Sequence, residues 1–160
     1  ANGRLGISVP LENGRHQKQG MKEVRIDGRQ DWQSQHWKTI SACYNRSPWF
    51  EYYKDSLEIL YRGQESFLIE WNRRCLEWSM AQLGWQGEIC FLIKADMEDP
   101  ILAEEWTDAR GLANKWPSDS LESIPAYHQV FEERTGFMPQ LSILDLLFCT
   151  GPQALDYLKK

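Results

Sequence analysis

Trp32-Gln-Ser-Gln-His36-Trp37-Lys38-Thr-Ile40-Ser-Ala-Cys43-Tyr44-Asn45-Arg46-Ser47-Pro48-Trp49-Phe50-Glu51-Tyr52-Tyr53 is the stretch on which the fold turns, with seven aromatic residues and one histidine in 22 positions. As a helix it brings Trp32, His36, Ile40, Cys43 and Tyr44 to one face, at the spacing of a core stripe. Pro48 pushes the residue before it out of the α region, so Asn45-Arg46-Ser47-Pro48 ends that helix. The same proline suits the first turn of a second helix, with Ser47 as its N-cap. The stretch predicts a helix, a tight corner and another helix, with polar-tipped aromatics gathered at the joint as the wall of a binding site.

Beyond the corner, the second helix continues through Leu57, Ile59, Leu60 and Tyr61 and stops near Gly63. Residues 64–83 predict a long central helix. Ile69, Leu76, Met80 and Leu83 form one apolar stripe and Phe67, Trp71, Cys75 and Trp78 a second, an arc wide enough to meet several neighbours. Gly84 fits the left-handed position that ends it. Ahead of the stretch, Leu5, Ile7 and Val9 alternate as in a strand with one buried face. Residues 23–27 repeat that pattern, and the two are expected to pair as an antiparallel hairpin.

Residues 88–94 read as a buried strand, residues 101–115 as a short helix and residues 127–131 as a strand. Ser142 and Asp145 stand at capping-box spacing at the head of an apolar helix, which Gly151-Pro152 ends before a last short helix. The expected fold class is α+β, in a single domain over residues 1–160: a small, partly antiparallel sheet packed against a helix pair and a long central helix. The first strand begins so close to Ala1 that the domain is expected to be truncated at its N-terminus.

Composition excludes several function classes. A net charge of −5 argues against a non-specific nucleic-acid binder, which needs a basic face to displace counterions. Cys43, Cys75, Cys90 and Cys149 sit singly in apolar runs, without the paired spacing of a zinc site, and suit a reducing compartment. No apolar run is long enough to span a membrane and no signal peptide is visible, so the expected location is cytoplasmic. No P-loop, G-x-G-x-x-G or H-E-x-x-H motif is present, and no cofactor or metal is expected. The acids Asp96, Glu98 and Asp99 have the chemistry for a hard cation, but a solvated acidic turn explains them as simply.

Among side chains with chemistry, His36 is the candidate general acid or base, since it sits inside the aromatic block and titrates near neutrality. A core histidine bonded to Tyr44 or to a backbone carbonyl is the competing reading. Lys38 and Arg46 suit an anionic group such as a diphosphate, or else are solvated. Glu51 lies in the first turn of the second helix, where a carboxylate also favours the helix dipole. Trp37, Tyr44 and Tyr52 suit stacking on a sugar or base, or plain core packing. Ser142, Asp145 and His128 lack the elbow of a serine nucleophile, and a helix cap accounts for the first two.

Three segments together resemble one family. They are Leu5–Pro10; the block from Trp32 and His36 through Tyr44, Ser47-Pro48 and Phe50-Glu51-Tyr52-Tyr53; and the tail Pro139-Gln140-Leu141-Ser142-Ile143-Leu144-Asp145-Leu146-Leu147-Phe148 with Gly151. The chain is similar in these to the bacterial WbqC-like family, whose N-terminal block is absent here. Gln140 and Cys149 stand where that family has asparagine.

The resemblance implies a bacterial protein of a family some of whose members are tied to surface-polysaccharide (O-antigen) synthesis. The expectation is a group transferase acting on an activated sugar or related intermediate, with His36 as acid or base. Lys38, Arg46 and Glu51 would meet the substrate's polar groups, and Tyr44, Trp37 and Tyr52 would wall the pocket. A non-catalytic binding or scaffold protein, using the block as an interface, is the alternative. The expected partner is a small molecule, an activated sugar or acyl donor, with no nucleic acid and no membrane insertion; an oligomer is allowed.

Overall fold

The computed structural model describes residues 3–14, 18–87 and 125–159. Contacts divide the chain into two units, one of residues 1–85 with 125–160 and one of residues 86–124. The first is described here; of the second, only Gln86 and Gly87 are among the described residues.

Six helices carry the first unit: α1 Trp32–Tyr44, α2 Phe50–Tyr61, α3 Leu68–Gln82, α4 Glu132–Thr135, α5 Ile143–Thr150 and α6 Ala154–Leu158. The corner between α1 and α2 falls where Pro48 requires it. Ser47, however, is not the cap of α2. That helix starts at Phe50 with Trp49 at the N-cap, and the Ser47 hydroxyl turns back to donate to the Tyr44 carbonyl at 2.7 Å. The Trp49 N–H, left over at the helix start, donates to the Phe148 carbonyl at 3.0 Å and ties α2 to α5.

The core gathers on α2. Phe50, Tyr53, Leu57 and Leu60 are buried, and they pack with Trp32 and Ile40 of α1, Trp71 of α3 and Leu146, Leu147 and Phe148 of α5. The role expected of residues 64–83 therefore belongs to α2. In α3 only Trp71 is fully buried, and Leu76 is 47% exposed. The expected end of α3 is met: Gly84, at φ +66°, donates its N–H to Ala81, and the Trp85 N–H reaches Met80, closing the last turn.

The expected sheet is not found among the described residues. Among the described residues no strand forms, and extended pairing is limited to two isolated antiparallel bridges, Leu11 with Ile26 and Arg25 with Phe67. The architecture of these residues is mostly helical, not α+β. Leu5 and Ile7 are 68% and 43% exposed, so their alternation has no apolar surface to lie on.

Both bridges also meet stops. At the first, Asp27 donates to the Pro10 carbonyl and Glu12 to that of Arg25, but Pro10 has no N–H to return, and Asn13 turns the chain away at φ +63°. At the second, Ile26 donates to Ser66 and Leu68 to Val24, and the chain then enters α3. Residues 127–131 are not a strand either; they run irregularly into the single turn of α4. The expected strand at 88–94, the helix at 101–115 and the acids 96, 98 and 99 lie outside the described residues.

Candidate functional site

The aromatic block is where sequence reasoning places the site, and in the structure it is largely core. His36 is 8% exposed, with its ring edge-on to Trp32 at 5.1 Å and to Tyr61 at 6.1 Å. Its Nε2–H donates to the Ser8 carbonyl at 3.2 Å, which fixes the tautomer because a carbonyl only accepts. Burial holds the imidazole below its ordinary pKa of 6.5, against the opposing effect of that bond. Trp37 is half-buried between Phe50 and Tyr61.

The other candidates of the block point elsewhere. Tyr52 is exposed, against Trp49 and Tyr53. Glu51 is exposed in the first turn of α2 and pairs with Lys54 at 3.4 Å. Lys38 and Arg46 are exposed, and neither forms an ion pair among the described residues. The bonds of Tyr44 lead away from His36 altogether, to α5.

There the sequence expects a helix cap and the structure holds a polar hub. Ser142 occupies the N-cap position of α5 without a side-chain cap bond. Asp145, one turn in, is 3% exposed and accepts three side-chain donors: Tyr44 Oη–H on Oδ1 at 2.9 Å, and Tyr127 Oη–H at 2.7 Å and Gln129 Nε2–H at 3.2 Å on Oδ2. Among the described residues it has no ion pair. Burial, and then the Asp145 charge, push both tyrosine hydroxyls well above their ordinary pKa. Buried Gln129 also clips Met138 through both amide atoms, each at 2.8 Å, in the way a strand neighbour would.

Beside this hub opens a cleft of 380 Å³, lined by Trp49, His128, Cys149, Pro152, Gln153 and Tyr157 among others. Each wall has a local cause. Trp49 sits over Gly151, whose bare α-carbon the ring requires, because a Cβ there would collide with the indole; its φ of +60° separately favours glycine. Cys149 follows from the helical spacing of α5, and burial pushes its thiol up to about 12, which leaves little thiolate for nucleophilic chemistry. His128 is exposed at the rim, and its Nδ1–H donates to Glu132 Oε2 at 3.0 Å. The same oxygen accepts the Gln129 N–H at 3.1 Å. In the neutral ring, Nδ1–H on the carboxylate leaves Nε2 as the acceptor nitrogen.

A second concavity, of 500 Å³, is lined by Glu12, Asn13, Asp27, Gly28 and Arg29. It is larger but has no aromatic wall and no histidine. Of its two acids, Asp27 is already committed: Arg29 binds it through N, Nε and a terminal nitrogen at 2.7–3.0 Å, holding the carboxyl down at about 2. We therefore place the candidate site at the first cleft. Sequence reasoning passes over it, although the i, i+4 pair His128 and Glu132 was the one local signal. Among the described residues no cluster of three or more His, Cys, Asp or Glu side chains is arranged to hold a metal ion. No helix there is long and apolar enough to cross a membrane.

No solved structure matches the chain. A curated relative, the uncharacterized protein Rv1507c of Mycobacterium tuberculosis, is 29% identical over 187 aligned residues, spanning 99% of this chain and 78% of that protein. The profile of the WbqC-like protein family matches residues 1–106, which takes in α1, the Pro48 corner, α2 and α3. By that match, over more than half its length, the chain belongs to the WbqC-like protein family.

Proposed function

We propose that this chain is a group transferase of surface-polysaccharide synthesis, and that the sugar of its substrate lies in the cleft between Trp49, His128 and Tyr157. The observation that carries the reading is the His128–Glu132 pair at 3.0 Å on the rim of a concave, aromatic-walled space. Aromatic faces suit the apolar C–H face of a sugar ring, and a few polar groups at the rim suit its hydroxyls. The setting comes from the family, some of whose members are tied to surface-polysaccharide synthesis.

In this reading a sugar hydroxyl attacks the electrophilic carbon of an activated donor. Its oxygen forms the new bond, its proton passes to His128 Nε2, and the donor's leaving group departs with the bonding pair. Glu132 holds Nδ1 and stabilises the imidazolium that results. Proton transfer falls to His128 and not to His36, whose Nε2 is engaged with Ser8.

One observation favours a second reading, a non-catalytic binding or scaffold protein. Tyr52 and Ile59 stand exposed on α2, two turns apart on one face, as an interface would have them. Both readings are tested on the full chain by thermal shift and NMR with a panel of nucleotide-sugars and acetyl-CoA. Binding that perturbs His128, with turnover lost in His128→Gln while binding persists, supports the transferase. Absence of any ligand response, together with a partner released by Tyr52→Ser, favours the scaffold.

A further inference from the structure

We infer that Asp145 is a positioning residue for the cleft: by holding Gln129 and Tyr127 it sets where the His128–Glu132 pair stands. Residues 125–129 have no regular secondary structure, so no helix or strand ladder dictates their path. Side-chain bonds do so instead. Tyr127 and Gln129, on either side of His128, both donate to Asp145 Oδ2, at 2.7 and 3.2 Å. Gln129 continues the link through its backbone, donating its N–H to Glu132 Oε2 at 3.1 Å, the atom that also accepts His128 Nδ1–H at 3.0 Å.

From the carboxylate to the imidazole the path is therefore unbroken, and every bond in it has one direction only. A carboxylate accepts, an amide N–H donates, and Glu132 accepts from both of its donors. At the far end the Glu132 carboxylate can only accept, so the His128 proton that faces it sits on Nδ1. Asp145 is anchored in its turn from α1, where Tyr44 donates to Oδ1 at 2.9 Å. One buried acid thus relates the aromatic layer, the irregular segment and the rim of the cleft.

The inference deepens the proposed function, on whose cleft it rests, but its test needs no ligand, so the two can fail separately. The readout is the imidazole nitrogen spectrum of His128 in the full chain, which distinguishes the two neutral tautomers. Wild type is expected to show the Nδ1–H form in large excess. Asp145→Leu keeps roughly the size of the side chain and removes both acceptor oxygens, so neither Tyr127 nor Gln129 finds its partner on α5. In that variant the single-tautomer signature is expected to be lost, with both forms populated and the Glu132 pairing broken.

If Asp145→Leu does not fold, Tyr127→Phe decides in its place, since it removes one hydroxyl and leaves the ring against Phe137 and Tyr157. An unchanged His128 tautomer ratio in the deciding variant, once folded, overturns the inference. A wild-type His128 without tautomer preference overturns it as well. Loss of the nucleotide-sugar response alone, with the tautomer behaving as expected, would count against the transferase reading and not against the positioning role.

Discussion

Around Trp32, the rings of His36, Tyr61 and Trp71 meet edge-on or tilted, with centroids 5.0–6.5 Å from the Trp32 ring. Around Asp145, Tyr44 and Tyr127 meet a carboxylate through their hydroxyls, at 2.9 and 2.7 Å. Both regions are buried and rich in rings, but one is held by apolar area and the other by hydrogen bonds to a charge. The first tolerates any occupant of the right shape, whereas the second dictates which atom donates and which accepts. A buried acid with no cation beside it is costly unless every donor is aimed at it, so such a hub specifies its surroundings more strictly than a hydrophobic contact does.

The largest expected effect tests the apolar side. Trp71→Ala should cost about 3–5 kcal/mol in denaturant unfolding, as deletion of a large buried aromatic does. Leu76→Ala, on the exposed face of the same helix, should change stability by less than about 0.5 kcal/mol. Equal losses at the two positions would break the assignment of α3 as a helix buried along one line only.

On the polar side, Tyr127→Phe should cost about 1.5–3 kcal/mol, the range for a hydrogen bond to a charged group. A cost near zero would show that Asp145 is satisfied without it, and that the hub is looser than its distances suggest.

His36 sharpens the contrast through pH. Its folded pKa lies below the 6.5 it has when free, so in that interval the unfolded chain binds more protons and stability rises with pH. The contribution is complete above about pH 6.5 and is lost progressively on acidification below it. His36→Gln should remove this part of the slope between pH 5 and 7, measured as unfolding free energy against pH. Superimposable curves would mean that the ring is not desolvated in solution.

The smallest effect is expected at Ser142. Because its hydroxyl makes no cap bond, Ser142→Ala should stay within about 0.5 kcal/mol. A loss near 1 kcal/mol, the usual worth of a serine cap, would restore the capping-box reading.

These regions also mark what could be read in advance. The helix pair was legible because its cause is local: a stripe at helical spacing from Trp32 to Ile40, then a proline that cannot continue the turn. The strands expected at 5–9 and 23–27 were misread because alternation is only a demand for a partner surface. Leu5 and Ile7 make that demand and no described residue meets it, while Pro10 denies the returning N–H a ladder needs. The hub escaped notice for a different reason. Tyr44 and Asp145 are 101 residues apart, and neither local pattern names the other. Asp145 was given the local role its spacing offered, when its bonds run to α1 and to the segment before α4.

The seating of Trp49 on Gly151 has a consequence for how this chain can be altered or compared. The two positions are far apart in sequence yet share one volume, so they are heritable only as a pair. A variant library that randomises residue 151 alone should recover glycine almost exclusively. One that randomises residues 49 and 151 together should recover larger residues at 151 only where 49 has shrunk. Any redesign that widens the cleft by trimming the indole would thereby release the glycine from its constraint of space, though not from its backbone at φ +60° and ψ −132°, which only glycine adopts readily.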